Sequence, residues 1–215
     1  MPHWIWYVLA AIAVAAYFAV RWRENQKTHR DYAALATRLG WRYEKYSTDF
    51  NKRYRKHPPF DAGKLPRADH LFHGKYRGRP LTIFQYSAEF EYSEGTPSKR
   101  EHWQVVSFVL AARAPAMEVR PRGALGRLAL RAGFGANTGD ADFDRRYAVR
   151  SEDDGFTATV LNKEVRAYLR STKHDANLLV TGNDAVTWRE GQLYPDDMEP
   201  WADFLADVLD RAGLK

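Results

Sequence analysis

A run of seventeen apolar residues near the start of the chain constrains the fold more than any other feature. Residues Trp4–Val20 read WIWYVLAAIAVAAYFAV and contain no charged side chain. At helical rise they span roughly 26 Å, close to the thickness of a bilayer's hydrocarbon core. Aromatic side chains stand at both ends of the run, as they do at the two interfaces of a membrane. The sequence therefore predicts a transmembrane helix over residues 4–22, after a short extracytoplasmic N-terminus at residues 1–3.

Two other interpretations of this run fit the residues less well. A cleaved signal peptide begins with basic residues and ends with small ones. Here Met1–His3 contains no Lys or Arg, and the bulky Tyr17 and Phe18 stand where a cleavage site would be. A buried core helix usually keeps a polar stripe, and this run has none.

The charges beside the run predict its orientation. Arg21, Arg23, Lys27 and Arg30 follow it closely, whereas no Lys or Arg precedes it. The positive-inside rule then predicts a single-pass membrane protein whose C-terminal domain lies in the cytoplasm. These four cations are the predicted membrane-surface contacts, and anionic lipid of the inner leaflet is the predicted partner.

Positive charge is concentrated in the part of the chain next to this run. Residues 1–80 hold 16 Lys and Arg against 6 Asp and Glu, and residues 81–215 hold 17 against 21. A basic half is also typical of nucleic-acid binding, but a tethered chain without a stacked-aromatic RNA motif disfavours nucleic acid as a partner. A protein is the other partner that the sequence allows. The absence of cysteine is compatible with a reducing cytoplasm.

The rest of the chain predicts an α+β fold, in which an antiparallel sheet of hairpins is covered by amphipathic helices. A juxtamembrane basic segment and a short helix starting at Thr28 occupy residues 23–40, and the globular domain covers 41–215. The predicted elements are a strand at 41–46, a loop at 47–68, a hairpin at 70–90 turning at Arg77-Gly78-Arg79, a central strand at 103–112, a strand at 117–120, a helix near 125–130, a strand at 143–150, a helix at 158–169, a hairpin turning at Gly182-Asn183-Asp184, and a final helix whose apolar face runs from Met198 to Leu209 and which ends at Gly213.

Motifs that suggest a metal or a phosphate site fail a physical test. His70 and His73 are three residues apart in a predicted strand, so their side chains point to opposite faces. Asp140, Asp142 and Asp144 have the spacing that opens a calcium loop, but Arg145 and Ser151 stand where such a loop needs Gly and Glu. The glycine-rich segment 133–139 lacks the Lys-Ser/Thr of a P-loop. We therefore predict no metal and no cofactor, and the sequence identifies no catalytic residue.

Two further groups of residues leave an alternative open. The aromatic residues Phe84, Tyr86, Phe90 and Tyr92 are explained by packing or by a ligand groove, and packing is favoured. A hydrolase-like enzyme would need carboxylates and histidines that meet only in the fold. The candidates for such a site are Asp69, His70, His73, Glu101 and His102.

Several segments together resemble a known bacterial family. They are GKYRGRPLTIFQY, WQVVSFVL, APAMEVRP and DFDRRYAV, followed by the final apolar helix. The chain resembles, over residues 25–213, an uncharacterised actinobacterial-type family with one N-terminal transmembrane helix and an α+β domain of unknown function. The shared positions, which include Gly74, Pro115 and Tyr147, are turn and core residues, so the resemblance implies a membrane-anchored domain and supplies no active site.

The predicted function is accordingly a membrane-anchored cytoplasmic module that binds a protein, a lipid or a small ligand at the inner membrane surface. The alternative is a membrane-tethered hydrolase-like enzyme.

Overall fold

The computed structural model describes residues 4–57, 59–92, 95–125, 138–172 and 177–215 as one antiparallel sheet with helices on one face and a short segment on the other. The helices are α1 (Trp4–Arg38), α2 (Phe50–Arg53), α3 (Arg122–Leu125), α4 (Ala141–Arg146), α5 (Asp154–Val160), α6 (Lys163–Ser171) and α7 (Pro195–Ala212). The strands are β1 (Arg42–Ser47), β2 (Lys64–Tyr76), β3 (Arg79–Phe90), β4 (Lys99–Pro121), β5 (Tyr147–Ser151) and β6 (Asn177–Glu190). The predicted α+β class with an antiparallel sheet is confirmed.

The N-terminal helix α1 is continuous over 35 residues. The separate helix expected from Thr28 is absent, because the Thr28 hydroxyl donates to the carbonyl of Glu24 one turn back and caps nothing. The helix ends before Gly40, whose φ of +69° takes the left-handed conformation that glycine allows. Within the part of the chain that the structure describes, no helix is both long and apolar enough to cross a membrane, so the transmembrane helix predicted over residues 4–22 is not supported.

The long strand β4 lies at the centre of the sheet, as its apolar sequence predicts. Its first half pairs with β3 on one side and β6 on the other, and its last residues pair with β5 and β6. The segment Met117–Arg120, expected as a separate strand, is the end of β4. The hairpin predicted at Arg77-Gly78-Arg79 is confirmed, since Tyr76 pairs with Arg79 across the turn.

Several element predictions are wrong. Gly182-Asn183-Asp184 makes no hairpin, because β6 continues through it and Ala185 and Val180 both pair with β4. The predicted strand at 143–150 begins as helix α4. The predicted helix at 158–169 is divided into α5 and α6. The division occurs at Asn162, whose side chain accepts hydrogen bonds from two backbone amides and so starts α6 as a new helix. The predicted loop 47–68 contains α2 and the first residues of β2. The helix expected near 125–130 and most of the glycine-rich segment 133–139 lie outside the described residues.

The larger core lies between the sheet and the helices on one of its faces. Ala36 from the end of α1, Leu169 from α6 and nearly all of one face of α7 pack there against Ile83, Phe108 and their neighbours on the strands. The last helix is the best-predicted element, because the residues from Met198 to Leu209 that repeat at helical spacing are buried. Apolar burial against this face is the main stabilising term of the domain.

The opposite face of the sheet is covered by residues 50–57 and 59–63, which we call the strap. Tyr54 and Phe60 of the strap pack on an aromatic sheet surface that includes Tyr86, Trp103 and Trp188. The Tyr54 hydroxyl lies 2.8 Å from Ser107 Oγ, and the rings of Phe60 and Tyr86 are 4.8 Å apart. A short segment that contains one turn of helix, α2, therefore takes the place of a helical layer on this side of the sheet.

Candidate functional site

The first half of α1 exposes large apolar side chains in every direction. Successive residues from Trp6 to Leu9 are exposed, with Tyr7 reaching 77%. The other exposed members are Ile12, Val14, Tyr17, Phe18, Val20 and Trp22. A soluble domain rarely leaves so many neighbouring apolar side chains in water, and such a surface marks contact with a membrane or a partner.

The four predicted membrane-surface residues follow this apolar surface on the same helix. Arg21, Arg23, Lys27 and Arg30 are all exposed. The Arg21 guanidinium lies 5.9 Å from the centre of the Tyr17 ring, within the range of a cation–π contact. Arg23, Lys27 and Arg30 share one helix face because they are spaced by four and three residues. The structure thus brings them together with the apolar surface and away from the core of the domain.

A cluster of two histidines and a tyrosine ties α1 to the sheet just beyond these cations. The Tyr43 hydroxyl of β1 lies 2.7 Å from Nδ1 of His29 on α1 and 2.8 Å from Nδ1 of His70 on β2. The hydroxyl can donate to one imidazole and accept from the other, so the two rings must hold different tautomers when both are neutral. Tyr32 completes the attachment by donating to the carbonyl of Leu193, 2.9 Å away.

A bulge in β2 places His70 in this cluster. The pairing of β2 with β3 shifts between Asp69 and Phe72, and His70 has a φ of +53° within that shift. Bulges re-aim side chains in this way and are frequent beside functional sites. The sequence shows no glycine at this position, and that is why reasoning from strand alternation alone did not find the cluster.

Burial keeps the imidazoles of this cluster neutral. Desolvation lowers the pKa of His70 to about 4, with smaller contributions from His29 and Lys45 against the opposing effect of Asp69. Desolvation also lowers the pKa of His29 and raises that of Tyr43. Because Nε2 of His29 is buried without a hydrogen-bond partner among the described residues, protonating this cluster would introduce a poorly solvated charge.

Among the described residues, no hydrogen bond or ion pair joins the five histidines and carboxylates considered for catalysis to one another. His73 contacts Glu44 and Thr82, each at 3.1 Å, on the face of the sheet opposite to His70. Glu101 accepts from Tyr92 and pairs with Lys99 at the surface.

Asp69 forms an ion pair with Arg67. It also lines a cavity of about 250 Å³ together with Tyr46, Ser47 and Ala68. None of the other four catalytic candidates lines this cavity. His102 is half-buried, and its Nδ1 has no partner in the described chain. Over the residues that the structure describes, no three His, Cys, Asp or Glu side chains are placed to hold a metal ion.

The acidic triplet begins a helix. Asp140 caps α4 by accepting from the amide of Phe143, and it also pairs with Arg166 and Arg170. Asp144 accepts from the Thr138 hydroxyl at 2.8 Å. A helix therefore stands where the predicted strand at 143–150 was expected to begin, and the carboxylates of Asp140 and Asp144 serve local structure.

The aromatic cluster is explained by packing. Phe84 and Tyr86 are fully buried in the core under the strap, and Phe90 packs against the edge of that core. Tyr92 is exposed and donates to Glu101. Three of the four rings therefore stabilise the sheet face.

Glu118 is a buried charge that the sequence analysis missed. Its side chain is almost fully buried in β4, one oxygen pairs with Arg120, and Oε2 has no hydrogen-bond partner among the described residues. Burial raises the pKa of its carboxyl, against the opposing effect of Arg120. The cavity that it lines with His57 and Arg150 has a volume of about 30 Å³, which suits one or two water molecules and not a substrate. The only sequence signal is a charge between the apolar residues Met117 and Val119.

Comparison with known proteins reveals similarity at the level of the fold. No model of a protein family matches the sequence, and no curated protein matches it. The crystal structure of the mycobacterial trehalose monomycolate transport factor A, TtfA, superimposes with a TM-score of 0.58 at 13% identity. The match covers 85% of this chain and 94% of that chain. The resemblance to an actinobacterial-type family is thus accompanied by a mycobacterial structure of similar fold.

Proposed function

We propose that this protein is a membrane-anchored module whose α+β domain lies on the cytoplasmic side and assists the transport of a membrane lipid. The observation that carries the proposal is the exposed apolar surface of the first half of α1. Burying one large apolar side chain is worth about 1.5–3 kcal/mol, so leaving this surface in water would be costly. Insertion into a bilayer removes the whole surface from water at once.

The charges next to this surface support the proposed orientation. The exposed cations Arg21, Arg23, Lys27 and Arg30 begin where the apolar run ends. Near an anionic leaflet each such cation contributes about 1 kcal/mol of attraction. These residues are the proposed contacts with lipid head groups at the inner surface.

The role in lipid transport is inferred from the fold and the anchor together. TtfA is a trehalose monomycolate transport factor with a similar fold, but a similarity at 13% identity carries no function by itself. The present chain has an apolar helix followed by a cationic segment, the arrangement expected of a protein that acts where lipids are. A lipid, or a protein that moves lipids, is therefore the proposed partner.

Two lysines introduced into the apolar run test the proposed anchor. We expect the full-length chain to stay in the membrane pellet after carbonate extraction, and the double variant Ile12→Lys/Val14→Lys to move to the soluble fraction. A Lys at the centre of a spanning helix costs about 2.5–3.5 kcal/mol on insertion scales. The matched control is Ala34→Lys/Thr37→Lys, which adds the same charges to exposed positions later in α1 and should stay in the pellet. Release of the unaltered chain by carbonate would overturn the anchor.

A photoreactive lipid tests the proposed role. The full-length protein in vesicles that contain a photoreactive acyl lipid should crosslink to lipid through residues of the α+β domain as well as through α1. Mass spectrometry of the crosslinked peptides measures this. Crosslinks confined to residues 4–22 would support an anchor and contradict a lipid-handling domain.

A further inference from the structure

Two neighbouring grooves follow one side of α1. The first has a volume of about 580 Å³ and lies where the second half of α1 passes Pro195, the first residue of α7. The second has a volume of about 460 Å³ and lies closer to the apolar run. Thr28 lines both of them, so the grooves meet at this residue. We call the first the distal groove, the second the proximal groove, and the two together the α1 groove.

The spacing of the lining residues makes the two grooves one path. Arg21, Thr28 and Leu35 follow one another at intervals of seven residues, so each lies within about 20° of the one before it around the helix. Helix α1 is unbroken from Arg21 to Arg38, and this stretch rises by roughly 26 Å. The path therefore leads from the end of the apolar run to the start of α7.

The proximal groove is polar. Besides Thr28 it is lined by Arg21, Glu24 and Asn25, and all three are exposed. These side chains offer a guanidinium, a carboxylate and an amide, which can bind the phosphate, hydroxyl and amine groups of lipid heads. This part of the path therefore suits a polar head and not a hydrocarbon chain.

The distal groove is apolar in its depth and charged at its rim. The half-buried Tyr32 and Leu35 line it from α1, and Pro195 lines it from α7. Asp31 and Arg38, which also line it, are exposed. This part of the path therefore suits a hydrocarbon chain, which gains by contact with apolar side chains and needs no hydrogen bond.

The distal groove has the length of one acyl chain. From Thr28 to Arg38 the helix rises by about 15 Å. The hydrocarbon core of a bilayer is about 30 Å thick and holds two leaflets, so the chain of one leaflet reaches about 15 Å. A single acyl chain laid along α1 would therefore extend over the whole distal groove.

The change of polarity along the α1 groove distinguishes between classes of ligand. A partner helix bound along the whole path would need an apolar stripe beneath it, and the described lining of the proximal groove has none. A nucleic-acid strand would need cations along the path, whereas Glu24 and Asp31 both lie on it. A lipid meets both conditions, because its polar head and its acyl chain differ as the two grooves do.

We propose that the α1 groove binds one membrane lipid, with its polar head in the proximal groove and one acyl chain in the distal groove. This rests on the proposed function, because α1 must first hold the groove at the bilayer. Thr28 lies about 12 Å beyond Val20, the last residue of the apolar run, so a chain in the distal groove has left the bilayer. Since both grooves are open to solvent, they cover a chain only in part and allow the release that transport needs.

A large side chain at the point where the two grooves meet tests the proposal. Thr28→Trp blocks the path there, and Asn25→Trp blocks the proximal groove as an independent variant. Thr37→Trp is the matched control, because Thr37 is exposed and lies nine residues from Thr28, about half a turn around the helix. Its hydroxyl donates to a carbonyl one turn back, as that of Thr28 does. All three variants should fold, since none of these side chains belongs to the buried core.

The probe is phosphatidylglycerol with a photoreactive group at the end of one acyl chain. It is carried in vesicles of phosphatidylglycerol and phosphatidylcholine that contain the full-length protein, and mass spectrometry locates the crosslinked residues. A chain end that stays in the bilayer reaches the apolar run, whereas a chain in the distal groove reaches residues 28–38 and Pro195. We expect both sets of crosslinks in the unaltered protein and in Thr37→Trp. In Thr28→Trp and Asn25→Trp the groove crosslinks should fall about tenfold, while those at residues 4–22 stay constant.

Other outcomes separate this site from the proposed function. Crosslinks at residues of the sheet or of α7 away from the groove, with none in the groove, would overturn the site and leave the proposed role in lipid transport intact. Crosslinks confined to residues 4–22 would overturn that role as well. Equal amounts of groove crosslinks in Thr28→Trp and Thr37→Trp would show that the lipid does not follow this side of α1 and would also overturn the site.

Discussion

At the scale of single residues, the close approach of Trp41 to Gly74 makes a sharp prediction. A Cβ at position 74 would lie 2.1 Å from Cδ1 of the Trp41 ring. Gly74→Ala must therefore displace the indole that packs where α1 passes into β1, and we expect it to lower the free energy of unfolding by about 1–3 kcal/mol. Thermal unfolding followed by circular dichroism measures this.

Gly123→Ala is the matched control for that substitution. Gly123 lies in the short helix α3, and no other atom lies within 4 Å of the added Cβ. Alanine favours helix over glycine, so the melting temperature should stay constant or rise slightly. An equal loss at both positions would show that Gly74 is not a special contact.

The histidine cluster predicts a pH dependence of stability. The folded-state pKa of His70, about 4, lies below its ordinary value of 6.5. Between these two values the unfolded chain binds a proton that the folded chain does not, so stability is full above pH 6.5 and falls as the pH drops toward 4. After allowance for partial solvent exposure we expect a loss on the order of 1 kcal/mol from this residue.

His70→Asn isolates this contribution, because asparagine tolerates the left-handed backbone at position 70. Urea unfolding at a series of pH values should show a smaller slope between pH 6.5 and 4 in the variant than in the unaltered protein. His29, His57, His73 and His102 also have lowered pKa values and remain in both proteins, so only the difference between the two curves is assigned to His70. Identical slopes would contradict the prediction.

At the scale of elements, an ion pair between Arg53 and Asp184 of β6 helps to hold the strap on the sheet. Both Nε and Nη2 of Arg53 donate to the carboxylate of Asp184, each at 2.8 Å. Arg53→Lys keeps the charge and loses this two-point geometry. We expect amide exchange in Tyr54–His57 to become roughly tenfold faster, which corresponds to about 1.4 kcal/mol in local opening.

Lys52→Ala is the control for the strap, since Lys52 is exposed and has no ion pair recorded in the described structure. Hydrogen exchange in β4 should stay unchanged in both variants, because the central strand opens only with the whole domain. If Arg53→Lys accelerates exchange throughout β4, the pair stabilises the domain as a whole and the strap is not a separate unit.

Elements with a strong local pattern could be predicted from the sequence, and elements defined by their neighbours could not. The apolar period of α7 and the turn at Arg77–Gly78 are local signals, and both elements lie where they were expected. Gly182 was expected to lie in a hairpin turn, but its φ of +56° only bends strand β6, which pairs with β4 on both sides of this residue. Asn162 and Asp140 start helices through side-chain caps that interrupt the apolar patterns on which the predictions relied.

The residues of the candidate site fall into the same two groups, those with a local sequence signal and those brought together only by the fold. The apolar run and its cations were visible in the sequence, because each depends only on residues adjacent in the chain. The contacts of His70 with His29 and Tyr43 depend on a bulge and on the packing of α1, and these have no local signature. Tertiary contact decides such sites, so a sequence pattern can propose their residues without assembling them.

At the scale of the whole molecule, α1 joins two parts with different solvent requirements. Its first half exposes apolar side chains, and its second half contributes Tyr32 and Ala36 to the sheet–helix core. The helix continues through the cationic segment without a break, so a displacement of its first half would be transmitted to the sheet through the contacts at His29 and Tyr32. A rigid connection of this kind favours one orientation of the domain over free rotation on a linker.

This division predicts where the chain can be shortened without loss of the fold. A chain that begins at Arg21 keeps every α1 contact with the sheet described above, so its domain should unfold within a few degrees of the full-length domain, in cooperative thermal scans. A chain that begins at Trp41 loses the buried Ala36 and the hydrogen bond from Tyr32 to Leu193, and exposes the apolar strand surface beneath them. We expect it to lose about 3 kcal/mol or more, and to show weakened dispersion in its amide NMR spectrum. If instead the chain from Trp41 is as stable as the chain from Arg21, the second half of α1 is not part of the domain, and the rigid attachment of the helix to the sheet must be given up.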